Sequence, residues 1–141
     1  MKSAEMDITF NFDNDIANTC VAVESALNRA VINFADRYEH VSFTNGQSPD
    51  SILRQIFKNK TEKQFLQIKE YFYSYFYEHC LEQTVLYPGK ADYIADLFLK
   101  GEKLYIVSQW PKNITDKILA YFDIDSYFAG ITYDKRICAQ E

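Results

Sequence analysis

The apolar pattern changes character near Thr84, and this change constrains the fold more than any other feature of the sequence. Before it, apolar residues recur at spacings of three and four, the period of amphipathic helices. After it, a helical stretch, the apolar run Leu104–Val107, another helical stretch and a strand-like segment at 129–133 follow in turn. Such alternation favours a parallel sheet with right-handed crossovers, and the unbroken apolar run predicts a strand buried on both faces.

Three helices are predicted before this change. The first runs from Thr19 to Arg37, and the second begins at Ser48-Pro49, because Pro fits a first helical turn whose N–H groups are unpaired anyway. Thr61 and Gln64 have the spacing of a capping box for a third helix that reaches about Glu82. The third helix has aromatic residues around much of its own circumference. Two interpretations of it stay open: a helix buried in the core of a small bundle, or a lid that closes over a ligand.

Composition excludes several classes of protein. A formal net charge of −5 argues against nonspecific nucleic-acid binding, which needs a cationic face. No apolar run is long enough to span a membrane and no signal peptide opens the chain, so we expect a cytoplasmic protein without membrane contact. Cys20, Cys80 and Cys138 are widely spaced, which predicts reduced thiols rather than a disulfide or a metal site.

The segment from Ile8 to Thr19 reads as a short strand, a polar turn and the start of a helix. It resembles the first motif of the haloacid dehalogenase-like phosphohydrolases, an apolar run followed by D-x-D-G-T-L-x-D-S/T. In that family the first Asp attacks phosphorus and the second transfers the proton. In this sequence Asn11 takes the nucleophile position and Asp13 the second position.

Two registers of this resemblance are open. A shift of two residues would make Asp13 and Asp15 the pair of carboxylates. The unshifted register is favoured, because the segment 16–19 then falls where the family has L/I, V/A, D/N and S/T. In that register Asp15 replaces a Thr, and we expect it to be a turn residue that caps the following helix. Asn11, Asp13 and Asp15 are thus the candidate catalytic residues.

The second half of the chain resembles the region around motif II of the phosphoglycolate-phosphatase-like group. In that group "P-G" opens a helix, an apolar strand ends in Ser or Thr, and a helix leads to an "F-G-I-x-x-Y-F" turn. Ser108 takes the motif II position, where its hydroxyl would bind a phosphate oxygen. Gln109 and Lys135 are the other candidate phosphate-binding residues. Asp13 and Ser108 would both lie beyond the carboxyl ends of strands, where open α/β sheets bind ligands.

The resemblance implies an α/β fold with a Rossmann-like parallel sheet, truncated to about three strands. Residues 1–19 and 84–141 would form this core, and residues 20–83 an all-helical cap inserted after motif I. The motif I strand would lack the neighbour that the family places beside it. Because an exposed apolar edge invites pairing, we expect a homodimer or a complex with a second polypeptide through this strand.

Catalysis is predicted to be impaired. The sequence has no G-D-x-x-x-D segment like the family's motif IV, and Asn11 carries no charge, so a backbone carbonyl and Asp13 or Asp15 are the candidate ligands for Mg²⁺, with Asp13 the first of them. Three functions are compatible with this pattern. The first is a protein that binds a small phosphorylated ligand or a partner without turnover. The second is an active phosphatase that uses Asp13 or Asp15 with Mg²⁺, and the third is a split enzyme completed by another chain.

Overall fold

The computed structural model describes residues 7–133, and the chain divides into two compact units. Of the described residues, 7–18 and 85–133 form an α/β unit, and 19–84 form a helical unit. The elements in chain order are β1 (Asp7–Asn11), a π-helical turn (Phe12–Ile16), β2 (Ala17–Asn18), α1 (Cys20–Phe34), α2 (Pro49–Ile56), α3 (Glu62–Gln83), β3 (Val85–Leu86), α4 (Lys90–Leu99), β4 (Lys103–Ser108), α5 (Lys112–Tyr121), a 3₁₀ turn (Asp125–Tyr127) and β5 (Phe128–Tyr133).

The α/β unit contains a three-stranded parallel sheet in the order β1-β4-β5. Both crossover helices contact the same face of this sheet. On that face Phe10 of β1 meets Tyr93 of α4 edge to face, with ring centroids 6.4 Å apart. Ser108 at the end of β4 is hydrogen-bonded to Thr115 of α5, with 2.8 Å between the two hydroxyl oxygens. Two right-handed crossovers in the same direction along the sheet place their helices in this way.

The opposite face of the sheet is not covered by any helix of the α/β unit within residues 7–133. Leu104 and Ile106 are buried, but Val107 is 44% exposed and Tyr105 is half-buried. The prediction that the run Leu104–Val107 is buried on both faces is therefore wrong for the described part of the chain. The reason is topological, since α4 and α5 lie on one side and leave the other open.

A second, very small sheet belongs to the same unit. Strands β2 and β3 pair in an antiparallel arrangement, with Ala17 opposite Leu86 and Asn18 opposite Val85. The sequence did not predict these two-residue strands, because they are too short for a period-2 pattern to be visible. Residues 19–84 thus occupy the position of the turn in a β-hairpin.

The helical unit begins and ends its helices largely where local sequence signals predict. The side chain of Ser48 accepts the N–H of Ser51 at the start of α2. Thr61 and Gln64 form both hydrogen bonds of the predicted capping box at the start of α3, which confirms that prediction. Helix α1 ends at Phe34, earlier than predicted, because Ala35 adopts an extended backbone.

Helices α1 and α3 lie side by side, and hydrogen bonds near both ends of the pair fix their alignment. Ser25 donates to Gln83 over 2.8 Å, and Asn33 donates to the Tyr71 hydroxyl over 2.7 Å. The buried positions of α3 follow helical spacing: Phe65, Ile68, Lys69, Phe72, Phe76 and Cys80. Core packing thus accounts for much of the aromatic content of α3, while a lid function stays a prediction. In residues 7–133 no helix has the length and apolar character needed to cross a membrane.

Candidate functional site

The chain leaves β1 through the π-helical turn, and an acidic side chain fixes that turn. The backbone N–H of Asn11 donates to Oδ2 of Asp15 over 2.7 Å. The prediction that Asp15 caps the following helix is therefore wrong, since its carboxylate reaches back to the end of the strand. A charge-assisted hydrogen bond of this kind is among the stronger ones in proteins. Asp15 thus has a clear structural role in shaping the turn that carries Asp13.

The carboxylate of Asp13 accepts hydrogen bonds from two side chains that follow β4. Trp110 donates its indole Nε1–H to Oδ1 over 2.9 Å, and Gln109 donates its Nε2–H to Oδ2 over 3.1 Å. The Tyr87 hydroxyl donates to the backbone carbonyl of Asp13 over 3.0 Å. The turn after β1 and the loop after β4 are therefore joined at the carboxyl end of the sheet, and Asp13 and Gln109 lie together as candidate site residues.

Ser108 lies at the end of β4 and is 1% exposed. Its hydroxyl oxygen accepts the backbone N–H of Trp110 over 3.1 Å and is 2.8 Å from the hydroxyl of Thr115. Thr115 in turn contacts the backbone carbonyl of Pro111 over 3.3 Å. The hydroxyl of Ser108 thus belongs to an internal network that shapes the loop between β4 and α5.

The remaining sequence-predicted residues are placed differently. Asn11 is exposed at the last position of β1, and its side-chain amide takes part in none of the hydrogen bonds found within residues 7–133. Lys135, the candidate phosphate-binding cation, lies outside the described residues. The structure therefore brings Asp13 and Gln109 into contact and places Asn11 and Ser108 at the carboxyl ends of adjacent strands.

The residues present do not form an evident magnesium site. No group of three His, Cys, Asp or Glu side chains that could hold a metal ion occurs in the described part of the chain. Asp13 and Asp15 are the acidic residues of the turn, and both accept N–H groups of the protein itself. Mg²⁺ usually needs one or two carboxylates together with water and substrate phosphate in octahedral geometry. This donor set does not fit it.

Trp110 is the site residue that sequence reasoning missed. It is the single Trp of the chain, is fully buried, and bridges Asp13 through its indole and Ser108 through its backbone. Its position gave a usable signal, because a buried indole must find a hydrogen-bond acceptor and the acidic turn after β1 ends at the same edge of the sheet. No motif in the sequence singles it out.

Comparison with known proteins gives the site a context. The family model for haloacid dehalogenase-like hydrolases matches residues 8–138. Among solved structures, a predicted phosphoglycolate phosphatase from Haemophilus somnus 129pt superposes with a TM-score of 0.74 at 20% identity, covering 92% of this chain and 62% of that chain. A predicted phosphatase from Clostridium acetobutylicum gives a TM-score of 0.70 at 16% identity, with 94% and 62% covered.

A haloacid dehalogenase-like family hydrolase from Streptococcus pneumoniae is also similar, with a TM-score of 0.68 at 16% identity and 92% and 61% of the two chains covered. These similarities confirm the predicted fold, a Rossmann-like parallel sheet with an inserted helical cap. The chain spans about 62% of the length of the structures it matches. No protein of curated function matches the sequence at a significant level.

Proposed function

Because the chain belongs to the haloacid dehalogenase-like hydrolase family, we propose that it binds a small phosphorylated ligand without hydrolysing it by the family's aspartyl route. One observation carries this proposal. Strand β1 ends at Asn11, a neutral carboxamide that takes the nucleophile position in the favoured register of the motif, while the neighbouring Asp13 accepts N–H groups on both carboxylate oxygens. The Asn11 carboxamide cannot attack phosphorus effectively, and the Asp13 carboxylate is already hydrogen-bonded within the protein.

The missing nucleophile weighs heavily against ordinary turnover. Removing a covalent nucleophile in well-studied hydrolases costs on the order of 10⁴ to 10⁶ in rate. Phosphoryl transfer also depends on a metal ion that neutralises the developing charge, and the described carboxylates do not form a site for it. Either deficit alone removes most of the family's rate enhancement, so we expect hydrolysis to be indistinguishable from background.

Binding of a phosphate group is still supported by the location of Asn11. Ligands of open α/β sheets bind beyond the carboxyl ends of the strands, where β1 and β4 both end. Helix α5 begins at Lys112, shortly after β4, and helix N-termini favour anions. An amide in place of a carboxylate at position 11 removes a negative charge that would repel a phosphate group in the absence of a metal ion.

The first experiment measures hydrolysis of p-nitrophenyl phosphate and phosphoglycolate with and without Mg²⁺. We expect no turnover above background for the parent protein, and none for Asn11→Asp, because that variant restores the nucleophile but not the metal ligands. Robust turnover by the parent would contradict the proposal. If that turnover disappeared in Asp13→Asn, the protein would be an active phosphatase that uses Asp13.

The second experiment measures binding of phosphoglycolate and inorganic phosphate by the fluorescence of Trp110. The single Trp is bonded to Asp13, so a ligand at this end of the sheet should change its emission. Asn11→Asp should weaken binding through charge repulsion. Asn14→Asp is the matched control, since it adds the same charge at an exposed neighbouring position. Equal weakening by both variants, or no binding by the parent, would contradict a phosphate site at Asn11.

A further inference from the structure

Three side chains donate hydrogen bonds to Asp13, one to each of its three carbonyl or carboxylate oxygens. The indole of Trp110 donates to Oδ1 over 2.9 Å, the amide of Gln109 to Oδ2 over 3.1 Å, and the Tyr87 hydroxyl to the backbone oxygen over 3.0 Å. Tyr87 follows β3, and the other two donors follow β4, so separate segments of the α/β unit converge on one residue. Every oxygen with which Asp13 could bind a cation therefore already faces a donor.

These donors oppose a divalent cation at Asp13, because hydrogen bonds and metal ligation use the same oxygen lone pairs. A carboxylate has about four lone-pair positions, and two of them are directed at N–H groups here. Mg²⁺ requires oxygen ligands at about 2.0–2.1 Å in near-ideal octahedral geometry. A cation on the same oxygen would approach the partial positive charge of the donor, so it must displace the donor or bind weakly.

The three donors differ in how firmly they are held. Trp110 is fully buried, and its backbone N–H donates to the Ser108 hydroxyl over 3.1 Å. Tyr87 is fixed by its backbone N–H, which donates to the carbonyl of Ile16 over 3.0 Å. Gln109 is half-buried, and within residues 7–133 its side chain forms the hydrogen bond to Asp13 and no other. Gln109 is therefore the donor that a cation can displace with the least loss of structure.

We propose that the three donors substitute for a divalent cation at Asp13, and that Gln109 determines whether Asp13 binds one. A cation competes with the Gln109 amide for Oδ2, while Trp110 and Tyr87 stay in place. Removing the Gln109 donor thus favours the cation, and a carboxylate at position 109 also adds a ligand. This proposal concerns cations alone and does not depend on phosphate binding.

Terbium luminescence tests the competition directly. Tb³⁺ binds oxygen ligands and emits strongly when a nearby indole transfers energy to it, and the single Trp of the chain contacts Asp13. Gln109→Leu should bind Tb³⁺ about two- to tenfold more tightly than the parent, because the competing hydrogen bond is gone. Gln109→Glu should bind it at least about tenfold more tightly, because carboxylate ligands raise the affinity of a cation site. Mg²⁺ should displace Tb³⁺ from both variants.

Matched controls separate this effect from a general change of charge or polarity. Gln55 is exposed on α2 in the helical unit, so Gln55→Leu and Gln55→Glu should leave Tb³⁺ affinity at the parent value. Adding Asp13→Asn to Gln109→Leu should abolish the gain in affinity. Equal Tb³⁺ affinity of the parent and Gln109→Leu would overturn the proposal. A gain that survives Asp13→Asn, or an equal gain in Gln55→Glu, would overturn it as well.

Stabilisation by Mg²⁺ gives an independent measure. A ligand that binds the folded state alone raises the free energy of unfolding as its concentration increases. In urea denaturation followed by the fluorescence of Trp110, Mg²⁺ should therefore stabilise Gln109→Glu more than the parent. Equal stabilisation of both proteins would contradict the role of Gln109. If Gln109→Glu does not fold, the same comparison with Gln109→Leu, which adds no charge beside Asp13, decides the question.

Discussion

Removing the carboxylate of Asp13 should destabilise the α/β unit, and the size of the effect distinguishes a structural role from a catalytic one. In Asp13→Ala the buried indole N–H of Trp110 loses its acceptor, as does the half-buried amide of Gln109. A hydrogen bond to a charged group contributes about 1.5–3 kcal/mol, and a buried donor left without a partner costs about 1–3 kcal/mol. Because Gln109 can turn to solvent, we expect a loss of about 2–4 kcal/mol.

The Asp13→Asn variant is the matched control. Its amide oxygen can still accept the indole N–H of Trp110, and Gln109 can rotate its own amide to present an oxygen. We therefore expect this variant to lose less than about 1 kcal/mol, because the shape and the pattern of acceptors are retained.

Urea denaturation followed by the fluorescence of Trp110 measures both effects. The single Trp lies in the α/β unit, so its signal reports on that unit. An Ala variant as stable as the Asn variant, or more stable than the parent, would refute the structural role. Increased stability on removal of Asp13 is the result expected for a carboxylate that is retained for chemistry at a cost in stability.

Two further predictions concern the helical unit. Nζ of Lys69 lies 3.0 Å from Oδ1 of Asp50, and the Lys69 side chain is 8% exposed. Lys69→Met should therefore lower the free energy of unfolding by about 2–3 kcal/mol, because it leaves a partly buried carboxylate unpaired. Adding Asp50→Asn should recover part of this loss in a urea denaturation followed by circular dichroism. The hydrogen bond from Arg54 lowers the pKa of Glu62 below its ordinary value of 4.5, so the stabilisation from this pair is present above that value and is lost as the pH falls through the lowered pKa. Glu62→Gln should therefore lower the melting temperature at pH 7 by more than at a pH below the lowered pKa, and an equal decrease at both values would contradict an electrostatic origin.

The sequence predicted those parts of the fold that depend on local signals. The side chains of Ser48 and Thr61 accept hydrogen bonds at the starts of α2 and α3, and Gly101 has a positive φ of 90° just after α4, a backbone conformation typical of a Gly that follows the last turn of a helix. Each of these features depends on a few neighbouring residues. The change of period near Thr84 also predicted the order of strands and helices in the second half.

The parts that were not predicted depend on contacts between distant residues. Trp110 and Asp13 are far apart in sequence, and only the parallel pairing of β1 with β4 brings them together. The exposure of Val107 follows from both crossovers running in one direction, which the composition of the strand does not encode. The prediction that Asp15 caps a helix was wrong for a related reason, because the π-helical turn directs the Asp15 carboxylate back to the backbone N–H of Asn11.

The hairpin of β2 and β3 has a consequence for the order of events in folding. Its two strands pair as neighbours although residues 19–84 lie between them. Closing a long flexible loop carries an entropic cost that grows as about (3/2)RT ln n, and two-residue strands offer few bonds to offset it. Once α1 and α3 have formed their antiparallel pair, however, the bond from Ser25 to Gln83 holds the two ends of the segment together. The helical segment then serves as a preformed turn, so the hairpin should close late, after the segment that it encloses has folded.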